Sequence, residues 1–391
     1  MKLVFITNSL SHHQIALCDA LLALLGSDFA FITLYPNAEA KVALGQEHFE
    51  RAYEHRIYES EAAKASCDAL LASAECIIIG TAHYAIIEKY LRKGTLVLRY
   101  GERPFKTGKS IRNLANMFVY HNRFRKYNIH LLCASAYAAA DYAFLGNYVG
   151  RTYKWGYFTR YQHLTKLDLE RAKSNAIPQI AWIGRMIDWK HPEVAIQTAI
   201  KLKEHQRPFH LTMIGDGYLR EQLEQLVASN HLEGEVTFLG NVHASEIAAH
   251  LLKTNFVILT SSYEEGWGAV LNEAMANGCV AIASHATGSA PFLIKDGVNG
   301  FLYRYEKSAE LLDILEVILS NKEEQLRIGW EAYQTIDATW NGSEAAKRLV
   351  ALIASLLEGK RPTLSDGPCS PALILANNWF RRASRKGDQS R

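Results

Sequence analysis

Apolar and polar positions follow one another along this chain in two long series of strand-like and helix-like segments. In the first series, short apolar runs at 3–6, 76–79 and 129–133 are separated by stretches with helical spacing. A second series begins with the apolar run 179–183 and continues beyond 256–259. Strands that alternate with helices predict parallel sheets covered on both faces. The fold class is therefore α/β, with two doubly wound Rossmann-like domains.

The alternating pattern is interrupted between the two series. An aromatic cluster near 155–158 is followed by a polar, charged stretch, which is typical of a connection between domains. We therefore predict a first domain over 1–160, a linker over 161–177 and a second domain over 178–338. The remaining residues, 339–391, contain a further helical pattern and a basic tail.

Composition and charge narrow the class of protein. The 391 residues are 49% hydrophobic and 21% charged, as in a soluble globular protein, and a net charge of +3 does not indicate nucleic-acid binding. Basic residues are concentrated in two places, at 99–126 and in the tail from 359 onwards. The first of these segments could face an anionic ligand or a membrane surface, and the tail has the composition of a membrane-interface segment but could also be a docked helix or a loose terminus.

Cysteine use and hydropathy indicate a compartment. The six cysteines lie mostly in apolar patterns without a CxxC pair, so they are expected to be buried thiols in a reducing environment. We find no signal peptide and no apolar run of membrane-spanning length. These features predict a cytoplasmic protein, with the inner face of the cell membrane as a further candidate location. No histidine has partners at metal-ligand spacing, so no metal is expected.

The most informative stretch, 260–284, is predicted to form a strand, a loop, a helix and a second strand. Glu265 lies in the loop and Glu273 on the helix, while Gly266 and Gly268 flank the start of that helix. A helix N-terminus favours an anion, and a carboxylate can accept hydrogen bonds from sugar hydroxyls. This combination indicates a nucleotide sugar. The alternative is an ordinary βαβ turn with surface glutamates.

Two cations are predicted to lie at the same sheet edge. Arg185 follows the first strand of the second domain directly after Gly184, and Lys190 precedes the next helix. Together they could neutralise a diphosphate and stabilise the negative charge that develops on a leaving nucleoside diphosphate. Gly215 and Gly217 permit a tight turn close to a ligand. The alternative for either cation is a solvated surface charge.

The first domain offers polar residues where its predicted strands end. Because no GxGxxG follows the first strand, a nicotinamide or flavin dinucleotide is not expected there. His13 could act as a general base or contact a sugar hydroxyl, or it could simply be a polar residue at a helix terminus. The full set of candidates on this side of the cleft is Asn8, His13, His83 and Arg103.

Five motifs of the second domain resemble those of the family 4 glycosyltransferases, which have the GT-B fold of two domains facing a central cleft. They are IGRM, DWKHP, IGDG, FLGNV and EEGWGAVLNEAMANGCVAIAS. The spacing of Glu265 and Glu273 equals that family's E-x7-E. The resemblance is specific from about 179 to 303 and diffuse in the first domain.

The resemblance implies a role for each matching residue. Glu265 would contact the donor sugar, Glu273 would hold the nucleotide ribose, and Arg185 and Lys190 would bind the diphosphate. The donor-binding set would comprise Gly184, Gly215, Gly217, Val242, Gly266, Trp267, Gly268 and Glu273, with the acceptor on the first domain. The family transfers sugar with retention, without metal or cofactor, to saccharide or lipid-linked acceptors of cell-surface polysaccharide or glycolipid synthesis. Its final helix often returns to the first domain.

Two departures from the family pattern concern the diphosphate contact from the first domain and the sugar pocket. Asn8 and Ser9 stand where many members have a Gly-Gly pair, and Trp267 stands where phenylalanine is commoner, which would reshape the sugar pocket. The alternatives are a catalytically idle module that binds nucleotide sugars, or a GT-B epimerase or phosphorylase. The complete set of two cations and two acids argues against an idle module.

Overall fold

The first half of the chain folds around a seven-stranded parallel sheet in a computed structural model that describes residues 1–36, 51–82 and 84–381. The strand order β3-β2-β1-β4-β5-β6-β7 reverses direction between β1 and β4. Ligands of such sheets bind beyond the carboxyl ends of the strands at this reversal. The strands are β1 (Leu3–Thr7), β2 (Phe29–Thr33), β3 (Glu54–Arg56), β4 (Cys76–Ile79), β5 (Leu96–Gly101), β6 (Ile129–Cys133) and β7 (Thr152–Lys154).

Helices cover both faces of this sheet. The chain enters α1 through a capping box, in which Ser11 and Gln14 satisfy each other's backbone N–H groups. Ser60 and Ser110 cap the next two long helices through their hydroxyls. The helices of this half are α1 (His12–Leu25), α2 (Glu61–Ser73), α3 (Glu88–Arg92), α4 (Ile111–Phe124) and α5 (Ala138–Ala143).

The second half folds around a six-stranded parallel sheet. Its order β10-β9-β8-β11-β12-β13 reverses between β8 and β11. A short helix, α6 (Lys166–Ala172), which begins with a capping box at Thr165, lies between the two sheets in sequence. The strands are β8 (Gln179–Ile183), β9 (His210–Ile214), β10 (Val236–Gly240), β11 (Phe256–Leu259), β12 (Val280–Ser284) and β13 (Phe301–Tyr303).

Helices also surround the second sheet, and the last helix leaves it. They are α7 (Pro192–Glu204), α8 (Arg220–Ser229), α9 (Ala244–Lys253), α10 (Val270–Ala276), α11 (Ala290–Leu293), α12 (Ala309–Ile318) and α13 (Lys322–Ala338). After a break at Thr339, α14 (Gly342–Leu357) packs on α1 of the first sheet, where a Cβ on Gly342 would lie 2.6 Å from the backbone of Ala16. The hydrophobic core is therefore continuous between the two halves.

The structure differs from the expected pattern in the first half. The strands β3 and β7 were not expected, because each is three residues long and mostly polar. The stretch after β4 forms a 3₁₀ turn (Tyr84–Ile86) followed by α3, and His83 lies outside the described residues. The backbone of β7 bonds the chain around Ser370, so its edge position becomes clear only from the tertiary structure.

All six cysteines are buried and none is disulfide-bonded, which confirms that part of the sequence interpretation. Within the described residues, no helix combines the length and apolar character needed to cross a bilayer.

Candidate active site

Two loops that follow β8 and β11 are tied together at the reversal of the second sheet. The Thr260 hydroxyl accepts a hydrogen bond from the Trp182 indole at 2.8 Å and donates to the Lys190 carbonyl at 2.5 Å. The Ser262 N–H donates to the Trp189 carbonyl at 2.9 Å. These bonds fix the course of both loops in the crevice where sheets of this kind bind ligands.

An ion pair joins Lys190 and Glu265 across these loops. Their side chains are 17% and 14% exposed, and Ser261 also donates its hydroxyl to the Glu265 carboxylate at 3.3 Å. Arg185 is exposed on the loop that carries Lys190, with its guanidinium 5.5 Å from the centre of the Trp189 ring. The structure thus brings Lys190 and Glu265 into direct contact, with Arg185 on the same loop.

Glycines in the loops after β8 and β9 allow the two loop backbones to pack against each other. Gly215 has φ +119°, and a Cβ there would lie 2.0 Å from the Gly184 carbonyl oxygen. A Cβ on Gly217 would lie 2.3 Å from the carbonyl oxygen of Met186. Loop packing alone therefore requires small residues here, and contact with a donor stays a prediction. Val242 follows β10 at the same edge of the sheet.

Trp267 requires a correction. Its ring is 0% exposed, its indole N–H donates to the Asn272 side chain at 2.8 Å, and it packs closely against Gly156. The ring therefore belongs to the core between the two halves. It cannot line a sugar pocket, in contrast to the expectation from the sequence. Gly268, which has φ +82°, and Gly266 keep the backbone beside it free of side chains.

Glu102 of the first half lies against this loop, within the strand-end stretch 100–103 from which the sequence interpretation carried forward only Arg103. A Cβ on Gly266 would lie 2.0 Å from a Glu102 carboxylate oxygen, and the Tyr157 hydroxyl donates to the other oxygen at 2.6 Å. Lys106 forms an ion pair with the same carboxylate. The available signal was its position just after β5, at the edge of the sheet. Tyr157 was missed because its aromatic segment was assigned to the connection between domains.

His13 of the first half faces Glu273 of the second. The His13 ring stacks on Tyr157 with 5.3 Å between ring centres, and His12 packs beside it. Burial raises the pKa of Glu273 to about 7, and burial together with His12 lowers the pKa of His13 to about 3. Ligand atoms of these two histidines and Glu273 lie within 4.8 Å of one another, so this group could hold a metal ion. The expectation of no metal stays a prediction.

The remaining candidates of the first half are arranged differently from one another. Asn8 is exposed just after β1, and its carbonyl accepts from the Tyr35 N–H at 2.9 Å. Arg103 is buried and donates to both oxygens of Asp141, at 3.0 and 2.9 Å, and to the Asn377 side chain at 3.4 Å. Because most of its donors are already used within the protein, Arg103 is not the open acceptor-side cation that the sequence suggested.

With this geometry established, the chain can be compared with known proteins. Residues 169–335 match the family described as glycosyl transferases group 1. The matched region contains both loops of the Lys190–Glu265 pair and the helix that carries Glu273.

Curated relatives share this region at low identity. The chain is 28% identical over 175 residues to the alpha-D-kanosaminyltransferase of Streptomyces kanamyceticus, which covers 45% of each chain. It is 27% identical over 215 residues to the D-inositol 3-phosphate glycosyltransferase of Nocardia farcinica, which covers 52% of this chain and 47% of that protein. The chain therefore spans about half the length of the curated relatives it matches.

Solved structures extend the likeness to almost the whole chain. HepE of Anabaena, solved in complex with UDP, superposes with a TM-score of 0.68 at 16% identity and covers 91% of this chain and 100% of that one. The sucrose-phosphate synthase of Thermosynechococcus elongatus gives a TM-score of 0.65 at 16% identity, covering 92% and 100%. The second half thus matches the glycosyl transferases group 1 family, and the chain has the GT-B fold of two facing Rossmann-like domains.

Proposed function

We propose that this protein is a retaining glycosyltransferase of family 4. It moves a sugar from a nucleoside-diphosphate sugar to a saccharide or lipid-linked acceptor in cell-surface polysaccharide or glycolipid synthesis. The donor lies against the second domain and the acceptor enters from the first. Contact with the inner face of the cell membrane brings a lipid-linked acceptor to the cleft.

The observation that carries this proposal is the contact between Lys190 and Glu265 in the crevice of the second sheet. The bond that breaks in a donor joins the sugar to the diphosphate. A cation next to an acid can therefore contact the groups on both sides of this bond. Lys190 and Arg185 face the diphosphate, which gains negative charge as it leaves, and Glu265 accepts hydrogen bonds from the sugar hydroxyls.

Three further features support the assignment. Glu273 lies within 4.8 Å of His13, so a ribose held by Glu273 would be bound where residues of both domains meet. The loop 266–268, itself buried, leads from Glu265 to the start of α10, where the helix dipole favours an anion. The cations supply the charge stabilisation that a metal gives in other transferases. The leaving phosphate takes the proton from the acceptor hydroxyl. Neither a metal nor a cofactor is needed in this proposal.

Release of nucleoside diphosphate from a panel of nucleotide sugars tests the proposal, after thermal shift has selected the donor. Lys190→Ala and Arg185→Ala should each lower kcat by about 10²–10³, the usual effect of removing one group that stabilises developing charge. Lys201→Ala is the matched control, because Lys201 forms only an exposed pair with Glu204 on α7. This control should keep full turnover.

Two results would overturn the proposal in different ways. Normal turnover in both cation variants would remove the phosphate role, and donor binding without turnover in the unmodified protein would indicate an idle binding module. The anomeric configuration of the product, followed by NMR from the first minutes of reaction, tests retention separately.

A further inference from the structure

Arg99, near the carboxyl end of β5, is surrounded by tyrosine rings. Its guanidinium carbon lies 5.2 Å from the ring centre of Tyr84, 5.1 Å from that of Tyr120 and 4.9 Å from that of Tyr142. Tyr148 completes the group through a hydrogen bond between its hydroxyl and that of Tyr120. We call these five residues the arginine pocket.

The cation of this pocket has ring contacts but no anionic partner. Among the described residues, no carboxylate forms an ion pair with Arg99 and no acceptor takes a hydrogen bond from its guanidinium. Aromatic faces stabilise a cation, but they leave the five in-plane N–H donors unused. A half-buried arginine in this condition has its donors available for a planar or tetrahedral oxyanion.

A second unused polar group lies in the same pocket. The Tyr84 hydroxyl is buried and has no hydrogen-bond partner among the described residues. Buried polar groups are nearly always satisfied, and leaving one unpaired costs about 1–3 kcal/mol. An oxyanion bound to Arg99 would satisfy the Tyr84 hydroxyl as well, because the two side chains are in contact.

The location of the pocket connects it with the cleft. Gly101 follows on the same strand, and a Cβ there would lie 3.8 Å from the Arg99 guanidinium, so glycine places no side chain on this side of it. Glu102, the next residue, contacts Gly266 of the second domain. Because side chains alternate along a strand, Arg99 and Tyr100 lie on opposite faces of the sheet. The pocket is connected to the donor crevice through Glu102 but is not part of the crevice itself.

The charge around the pocket also favours an anion. The segment 99–126 contains eight basic residues and one acidic residue, Glu102, whose carboxylate is already paired with Lys106. Arg103 and Arg123 are also paired, with Asp141 and Glu88, so the remaining excess of cations is what favours an anion in this part of the first domain.

We propose that the arginine pocket binds an oxyanion, a phosphate or carboxylate group, carried by the acceptor. The choice of acceptor rests on the proposed function, whereas anion binding does not. Arg99 donates to two oxygens of the group through its planar fork, and Tyr84 donates its hydroxyl to one of them. The tyrosine rings exclude water from the faces of the guanidinium. The acceptor is thus an anionic saccharide or a lipid phosphate, anchored next to the crevice in which the sugar is transferred.

Binding of inorganic phosphate to the full chain tests this pocket, measured by calorimetry at constant ionic strength with chloride as the reference anion. Arg99→Met should weaken phosphate binding at least tenfold, because a hydrogen bond to a charged group contributes about 1.5–3 kcal/mol. Arg99→Lys should weaken it less, and Tyr84→Phe should weaken it while preserving the ring contact. Arg112→Met, an exposed arginine on α4, is the matched control and should bind as the unmodified protein does.

The two sources of the anion are separated by a second arm. Flotation with phosphatidylcholine vesicles, with and without a tenth of phosphatidic acid, supports a lipid phosphate if only the anionic vesicles bind and Arg99→Met abolishes binding. Anionic vesicles that fail to bind while free phosphate does indicate a soluble anionic saccharide.

Two results would overturn the proposal for this pocket. One is that the unmodified protein does not bind phosphate. The other is that the Arg99→Met and Tyr84→Phe variants bind phosphate as tightly as the unmodified protein does. If Arg99→Met does not fold, Tyr84→Phe and Arg99→Lys decide the question. Phosphate binding that depends on Arg99 in a protein without donor turnover would leave the pocket standing and remove the proposed transferase function.

Discussion

At the scale of single residues, Glu273 shows how burial sets a charge state. Its carboxyl is half-buried beside His12 and His13, and desolvation raises its pKa from 4.5 to about 7. The folded protein therefore binds this proton more tightly than the unfolded chain does. Stability from the protonated form is fully present below pH 4.5 and is lost as the pH rises through about 7.

We therefore expect Glu273→Gln to be more stable than the unmodified protein above neutral pH and equally stable in mild acid. Glutamine is neutral at every pH, so the advantage should appear as the pH passes from 4.5 to about 7. It should reach on the order of 1–3 kcal/mol. Urea unfolding across this range measures the difference. The same variant should bind the donor less tightly, which separates a role in binding from one in folding. An advantage that did not change with pH would contradict the assigned cause.

At the scale of elements, the junction of α1 and α14 joins the two halves. Gly342 begins α14 directly over the backbone of Ala16, so the helices approach closely enough for Leu17 and Leu349 to enter one core. No side chain fits between them at this point. The approach depends on glycine because of space and not because of its backbone conformation.

Gly342→Val should lower the free energy of unfolding by about 1–3 kcal/mol, the usual cost of overpacking. The clash is with backbone atoms of α1, which cannot rotate away. Gly234→Ala is the control, because a Cβ there meets nothing within 4 Å, and it should be neutral or slightly stabilising. Chemical denaturation of both variants checks the prediction. Equal stability would show that the two helices can separate without loss.

The sequence predicted the long buried elements and missed what depends on distant contacts. Apolar runs such as those of β1 and β12 were enough to predict both sheets, because their period and length identify buried strands. The short polar strand β7 pairs with β6 and is bonded on its other edge by the chain near Ser370. Lys190 and Glu265 could be placed at one sheet edge from spacing. The contacts of Glu102 and Tyr157 and the burial of Trp267 could not be predicted, because these side chains meet only when the two halves pack together.

At the scale of the whole molecule, the C-terminal segment crosses between the two halves. The Asn377 carbonyl accepts a hydrogen bond from the Tyr263 hydroxyl at 2.7 Å and lies 3.1 Å from the His285 ring. Its side chain accepts from Arg103 of the first half at 3.4 Å. Two residues later, the Trp379 indole donates to the Tyr137 hydroxyl at 3.0 Å. This segment therefore restrains the relative movement of the domains near the loop of Glu265.

Deleting residues 373–391 should widen the range of domain arrangements, because these links are lost. Small-angle X-ray scattering should show a larger radius of gyration, and limited proteolysis between the domains should be faster. Deleting only residues 382–391 is the control, because it preserves every contact described above. Identical scattering from both deletions would show that the segment does not restrain the domains.

The ion pair of Lys190 and Glu265 has a consequence for selectivity. Each side chain occupies the position that a ligand group would take next to the other. An incoming molecule must therefore separate Lys190 and Glu265 before it can contact either one. A free nucleotide can replace only the partner of the lysine, and a free sugar only the partner of the glutamate. Under the proposed function, an intact donor would replace both contacts at once, so the ion pair would favour it over its separate nucleotide and sugar parts.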